Sequence, residues 1–165
     1  MASKYDIETY LLDKSHISDT ITRMLLGFDR EDYTSLINDV YAPDVDLDYD
    51  PLLGGKSETL PSLEWTKRLA KTHEPYDTTQ HVILNLLINL PNPGSAYPPE
   101  KCTAVAYAHG HFYKKDDEGV PTVLAMRQGG RYELEFIRGG DSPPGSNSWR
   151  VKKLSVRLDW RDKPE

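Results

Sequence analysis

The sequence predicts an α+β fold in which three N-terminal helices cover one face of a curved antiparallel sheet. Two observations predict it. Up to about residue 72, apolar residues recur at helical spacing in three blocks. From Tyr76 onward the chain turns to long, strand-like apolar runs, Tyr76–Leu90, Thr103–Lys114, Val123–Arg138 and Trp149–Trp160, separated by clusters of turn residues. Helices gathered first and strands gathered second belong to the class in which helices cover one face of a sheet. A chain of 165 residues is long enough for one domain with its own core and short for two. Residues 1–165 therefore read as one domain, with a lead-in over 1–12 and a core over 13–160.

Taken in order, the lead-in is polar, with Ile7, Tyr10, Leu11 and Leu12 as its apolar residues. The first helix spans about Ser15 to Phe28, its stripe made by Ile17, Ile21, Met24, Leu25 and Phe28, with Ser15 or Asp13 as cap. Gly27-Phe28-Asp29 breaks it, and Asp29 opens a second helix as its N-cap. Tyr33, Leu36, Ile37 and Val40 give that helix its apolar side, and Pro43 stops it. Val45-Asp46-Leu47-Asp48-Tyr49 alternates as a short strand, with Val45, Leu47 and Tyr49 on one face. A Gly54-Gly55 turn leads to a third helix, about Thr59 to Thr72, carrying Leu60, Leu63, Trp65 and Leu69. The strand that follows sets His81, Ile83, Asn85, Leu87 and Asn89 on one face, a titratable imidazole and two amides among aliphatics. Such a strand suits the wall of a mostly apolar pocket with a few polar groups. Pro91–Pro99 and Gly139–Ser148 are loops, Lys115–Gly119 is a hairpin turn, and Gly129-Gly130 marks a bulge or bend.

Composition narrows the function classes. A formal net charge of −6, from 26 acids and 20 bases, argues against a general nucleic-acid binder. The single cysteine, Cys102, cannot form an internal disulfide and reads as a packed or surface thiol. No stretch has membrane-spanning length, and the first residues lack the apolar core of a signal peptide, so a cytoplasmic protein is expected. Phosphate-cradling glycine loops, paired-cysteine zinc patterns and a serine nucleophile elbow are all missing. His109 and His111 point to the same side of a strand and could clamp a metal with His81; an outward-facing pair beside Tyr107 and Tyr113 is the commoner arrangement, and no metal is expected.

What remains is an acid/base set: Asp29, Tyr49 and His81. A histidine titrates near neutrality, a carboxylate fixes its tautomer and raises its basicity, and a tyrosine hydroxyl can polarise a carbonyl oxygen. This chemistry calls for no cofactor.

Five segments occur in an informative order: Phe28-Asp29-Arg30-Glu31-Asp32-Tyr33, Asp46-Leu47-Asp48-Tyr49, Thr79–Asn85, Gly130–Phe136, and Trp149-Arg150 through Trp160. Together they resemble the SnoaL-like domains of the nuclear-transport-factor-two-like superfamily, on the scytalone-dehydratase-like branch. The resemblance implies a cone-shaped α+β barrel around a deep apolar pocket, in which Asp29 pairs with His81 and Tyr49 helps activate water or a carbonyl. It also implies a homo-oligomer, dimer or trimer. The chain departs from that branch at three places: Phe28 stands where a tyrosine is found, Gly110 aligns with a second pocket histidine, and Tyr132 aligns with a pocket asparagine. A shift of register would bring His109 or His111 inward instead.

The expected function is therefore a cofactor-independent dehydratase, isomerase or cyclase acting on a polyketide-like, terpenoid or other polycyclic or phenolic metabolite. His81, Asp29 and Tyr49 are the expected catalytic residues. Tyr132, Asn85, Trp65, His109, Phe28, Ile83 and Leu87 are the expected substrate-binding residues. The alternative is a non-catalytic member that binds an apolar ligand or a protein partner.

Overall fold

The computed structural model describes residues 4–95, 97–139, 143 and 145–164. Parts of the lead-in and of the two long loops, at 1–3, 96, 140–142 and 144, lie outside the described residues.

Helix α1 runs unbroken over Ile7–Asp29, so the expected lead-in and first helix are one element. Its cap is Asp6, which accepts a hydrogen bond from the Thr9 amide at 2.8 Å, rather than Ser15 or Asp13. Nothing between Leu12 and Ser15 breaks a helix, so a cap further upstream extends it. Asp13, Ile17, Ile21, Met24, Leu25 and Phe28 form the buried stripe.

The end of α1 corrects the reading of Asp29. The chain reverses through Glu31, whose φ is 55°, and the cap of the next turn is Asp32, which accepts from the Ser35 amide at 3.1 Å and from its hydroxyl at 2.7 Å. Asp29 is instead the last residue of α1. There the helix dipole disfavours a carboxylate, so something outside the helix must hold it. The expected second helix is a single turn, α2 (Tyr33–Ser35), which widens into a π-helical turn over Leu36–Val40. Gly27 lets this turn press against α1, since a Cβ there would lie 2.6 Å from the Leu36 side chain.

Strand β1 (Tyr41–Tyr49) starts ahead of Pro43, which sits where its pairing shifts register. Val45 and Leu47 are buried and Tyr49 is half-buried, as their alternation predicts. The expected start of the third helix is a short strand, β2 (Ser57–Pro61), with Thr59 paired to Asp46 and Leu60 to Val45. Pro61 explains the difference: it drives Leu60 toward extended backbone and suits the mouth of a helix. Helix α3 then covers Ser62–His73. Leu63 is exposed, and the buried side is Trp65, Leu69 and His73, four residues apart.

The sheet is completed by β3 (Thr78–Asn89), β4 (Lys101–Lys114), β5 (Val123–Arg138) and β6 (Trp149–Asp162). Its order is β2-β1-β6-β5-β4-β3, curved and unclosed. All pairings are antiparallel except that of β1 with β6, which is parallel. Gly129-Gly130 falls at a register shift between β5 and β6, the kind of irregularity that bends a strand. Inside the curve, Ile17, Met24 and Phe28 of α1 pack with Val45, Leu134, Phe136, Trp149 and Leu154 of the sheet.

Candidate active site

The open end of the fold holds a cavity of about 390 Å³ lined by the end of α1, β1, α3 and the facing parts of β3–β6. That size suits a molecule of two or three rings. Its walls are largely aromatic and aliphatic, among them Phe28, Leu47, Trp65, Leu69, Phe112 and Val156.

Asp29 and His81 meet at its edge. The Asp29 carboxylate accepts three hydrogen bonds from the start of β3: from the Thr79 hydroxyl at 3.0 Å, from the His81 amide at 2.8 Å, and from His81 Nδ1 at 2.7 Å. Three donors offset the unfavourable position at the end of α1. They also orient the imidazole, because a carboxylate at neutral pH only accepts and so assigns the ring proton to Nδ1. That leaves Nε2 as the ring nitrogen not engaged by Asp29, on a side chain lining the cavity. The His81 ring is fixed edge-to-face by Phe28 at 5.7 Å and Phe112 at 5.6 Å between centroids.

Directly across the strand pair from His81 is Gly110. A Cβ at that position would lie 2.9 Å from the Phe112 ring and 3.3 Å from His81 Cδ2, so glycine makes room for the imidazole. Gly110 thus faces inward, while His109 and His111 share the other face of β4. His109 packs against Trp160, ring centroids 5.4 Å apart. The expected pocket role of His109 fails on this alternation. Among the described residues no group of three His, Cys, Asp or Glu side chains is close enough to hold a metal ion.

Asn85 and Leu87 are likewise displaced. Asn85 adopts a left-handed φ of 53°, and the pairing of β3 with β4 shifts between Leu84 and Leu87. This bulge inverts the alternation. Asn85, Leu87 and Asn89 are exposed, and Leu86, Ile88 and Leu90 turn to the core in their place. Ile83 packs against the core and borders a groove between α1 and β3, outside the main cavity.

The other expected residues converge. Tyr49, Trp65, Tyr132 and Phe28 all line the cavity with His81. Tyr49 and Trp65 pack at 5.4 Å. Burial raises the Tyr49 hydroxyl well above its ordinary pKa, with Tyr132 and Tyr41 adding to the effect. Burial, and then the Asp29 charge, do the same for Tyr132. Both phenols therefore stay protonated at neutral pH and have a hydroxyl proton to donate.

Sequence reasoning missed His73. This residue closes α3, is 5% exposed, and lines the cavity beside His81, ring centroids 6.0 Å apart. Burial, then the neighbouring His81, lowers its pKa to about 4, so it is neutral at pH 7. Its Nδ1 is buried without a hydrogen-bond partner. The legible signal was its place in the stripe Trp65, Leu69, His73. Its surroundings come from α1 and β4, far away in the chain.

The chain matches the family model described as "SnoaL-like domain" over residues 9–155. A search of curated protein sequences finds no match. Among solved structures, the Kfla4162 protein of Kribbella flavida is similar, with a TM-score of 0.73 at 16% identity over 91% of this chain and 93% of that one. A protein of Novosphingobium aromaticivorans assigned as a scytalone dehydratase has a TM-score of 0.72 at 13% identity over 96% and 91%. The hexachlorocyclohexane dehydrochlorinase LinA-type3 of Novosphingobium barchaimii has a TM-score of 0.66 at 15% identity over 94% and 92%. At these identities the likeness is one of fold.

Proposed function

The chain belongs to the SnoaL-like domain family, and from that premise we propose that it is an acid/base enzyme, a dehydratase, isomerase or cyclase, acting on a polyketide-like, terpenoid or other polycyclic or phenolic metabolite. The observation that carries this reading is the 2.7 Å contact between Asp29 and His81 Nδ1 at the wall of an aromatic cavity. It supplies an imidazole whose Nδ1 is held by a fixed carboxylate and whose Nε2 is left for the substrate.

In the proposed step, His81 Nε2 takes a proton from carbon next to a carbonyl, and Asp29 stabilises the imidazolium that forms. Charge develops on the carbonyl oxygen, which Tyr49 and Tyr132 hold by donating from hydroxyls that burial keeps protonated. The imidazolium can then return the proton to another carbon, giving isomerisation, or to a departing hydroxyl, giving loss of water. Phe28 and Phe112 exclude water from the ring edges. That such chemistry occurs on similar folds is consistent with the dehydratase and dehydrochlorinase assignments of two of the neighbours.

The test is a panel of cyclic β-hydroxy ketones incubated in deuterated buffer and read by mass spectrometry for deuterium gain and loss of water. His81→Gln is expected to lower the rate by about 10²–10⁴-fold. A variant as fast as the parent would overturn the assignment of the base.

A further inference from the structure

We propose that the substrate of this cavity carries a carboxylate, held at the mouth by the Arg161 guanidinium with Lys163 beside it. The inference rests on the reading of the cavity as the substrate site and adds the chemical class of what enters it.

The mouth is built by three separate elements: Lys56 and Glu58 from the β2 end, Arg68 from α3, and Arg161 and Lys163 at the end of β6, all lining the cavity. Four cations and one anion thus meet in a chain whose net charge is −6. The first two cations are accounted for. Glu58 is paired with Arg68 at 2.7 Å and with Lys56 at 3.5 Å, and Arg68 also reaches Glu64 at 3.0 Å. Among the described residues the second two have no acidic partner. The acids nearest Arg161 along β6 are taken elsewhere, Asp159 by Arg131 at 3.2 Å and Asp162 by Arg127 at 2.8 Å.

Arg161 is instead held by a neutral group. Its Nε and Nη2 both donate to Gln128 Oε1, at 3.1 and 2.8 Å. Gln128 lines the cavity as well. One edge of the guanidinium is therefore fixed without its charge being neutralised, and the Nη1–Nη2 edge is left to donate. That fork matches the two oxygens of a carboxylate. Further in, the lining is mostly aromatic and aliphatic and carries no further charged acid or lysine or arginine side chain among the described residues, so an acid on a ring system would place its charge at the mouth and its frame inside, toward His81.

The experiment uses the full chain and the uncharged dye Nile red as a fluorescent occupant, displaced by 2-naphthoate or by its methyl ester. Naphthoate is expected to displace it at about tenfold lower concentration than the ester, a difference worth ~1.4 kcal/mol. Arg161→Gln should remove that preference and leave the ester unchanged, whereas His81→Gln should keep it. In the unaltered protein the preference should shrink at about 1 M salt, where screening acts over about 3 Å, a readout independent of any variant. Equal displacement by acid and ester overturns the proposal, as does an Arg161→Gln effect equal on both, or displacement by inorganic phosphate as effective as by naphthoate. No preference in the unaltered protein, with turnover dependent on His81, refutes the carboxylate and leaves the acid/base reading standing; a preference that depends on Arg161, with turnover indifferent to His81→Gln, refutes only the latter.

Discussion

Helix α1 carries two inward aspartates near its opposite ends, and the sheet bonds to both. Asp13 accepts from Arg138 Nη2 at 2.5 Å and from the Trp149 indole at 3.0 Å, with the guanidinium stacked 4.4 Å above the Trp149 ring. Asp29 accepts from Thr79 and from the amide and ring of His81. Their side chains are 3% and 15% exposed. The partners decide the difference. An arginine does not give up its proton, so Asp13 faces a fixed cation, and the pair ties α1 to β5 and β6. A histidine can exchange its proton, and a cavity lies beside it, so on the proposed mechanism the same carboxylate chemistry becomes a means of storing and returning a proton.

The comparison breaks most sharply at Asp29. Asp29→Asn keeps the size of the side chain but presents an amide that can donate to Nδ1 and reverse the tautomer. On the proposed mechanism, turnover should fall on the order of 10³–10⁴-fold, as a tautomer error does elsewhere, with a smaller change in unfolding midpoint than at Asp13. Steady-state rates beside urea unfolding curves check both halves. Asp13→Asn should do the opposite. It leaves Arg138 near a buried site without its counter-charge, costing about 3–5 kcal/mol of stability, while the folded fraction keeps its kcat/KM. Unchanged stability in Asp13→Asn would mean that this ion pair contributes little to the fold.

His73 sharpens the same contrast through pH. Its pKa, lowered to about 4 in the folded protein, lies below the ordinary value near 6.5. The unfolded chain therefore binds this proton first as pH falls, and stability is lost between about pH 6.5 and 4. The loss can reach ~3 kcal/mol over that window. His73→Phe, among the rings of Phe28, His81 and Phe112, removes the titrating group. The variant's stability should then fall less steeply from pH 7 to pH 4 than the parent's. Parallel curves would show that acid destabilisation arises elsewhere.

How far the sequence disclosed this site depends on how local each cause is. The stripe of α1, the alternation of Val45, Leu47 and Tyr49, and the bounds of β5 follow from periods read over a few residues, and they stand. The pairing of Asp29 with His81 spans 52 positions; the family resemblance proposed it, while local spacing read Asp29 as a cap. That reading failed because Asp32, three residues on, caps better once Glu31 has turned the chain. His73 stayed hidden because a histidine in an apolar stripe is ordinary until α1 and β4 close around it. Arg161 stayed hidden because its significance lies in which acids are already taken.

The smallest effect concerns the bulge that turned Asn85 and Leu87 outward. An L-residue in left-handed backbone strains against its own carbonyl by roughly 1–2 kcal/mol, and asparagine tolerates the conformation better than most. Asn85→Ala should therefore lose about 1 kcal/mol, Asn85→Gly should lose less, and neither should alter binding in the cavity, because this side chain points away from it. Urea midpoints for the two variants, beside KM for the reaction, separate the causes. Equal stability of the two would mean that the backbone at residue 85 relaxes out of its left-handed state at no cost. A change in KM would mean that the register of β3 is held by this one residue, so that losing it carries the strand, and His81 with it, onto the other alternation.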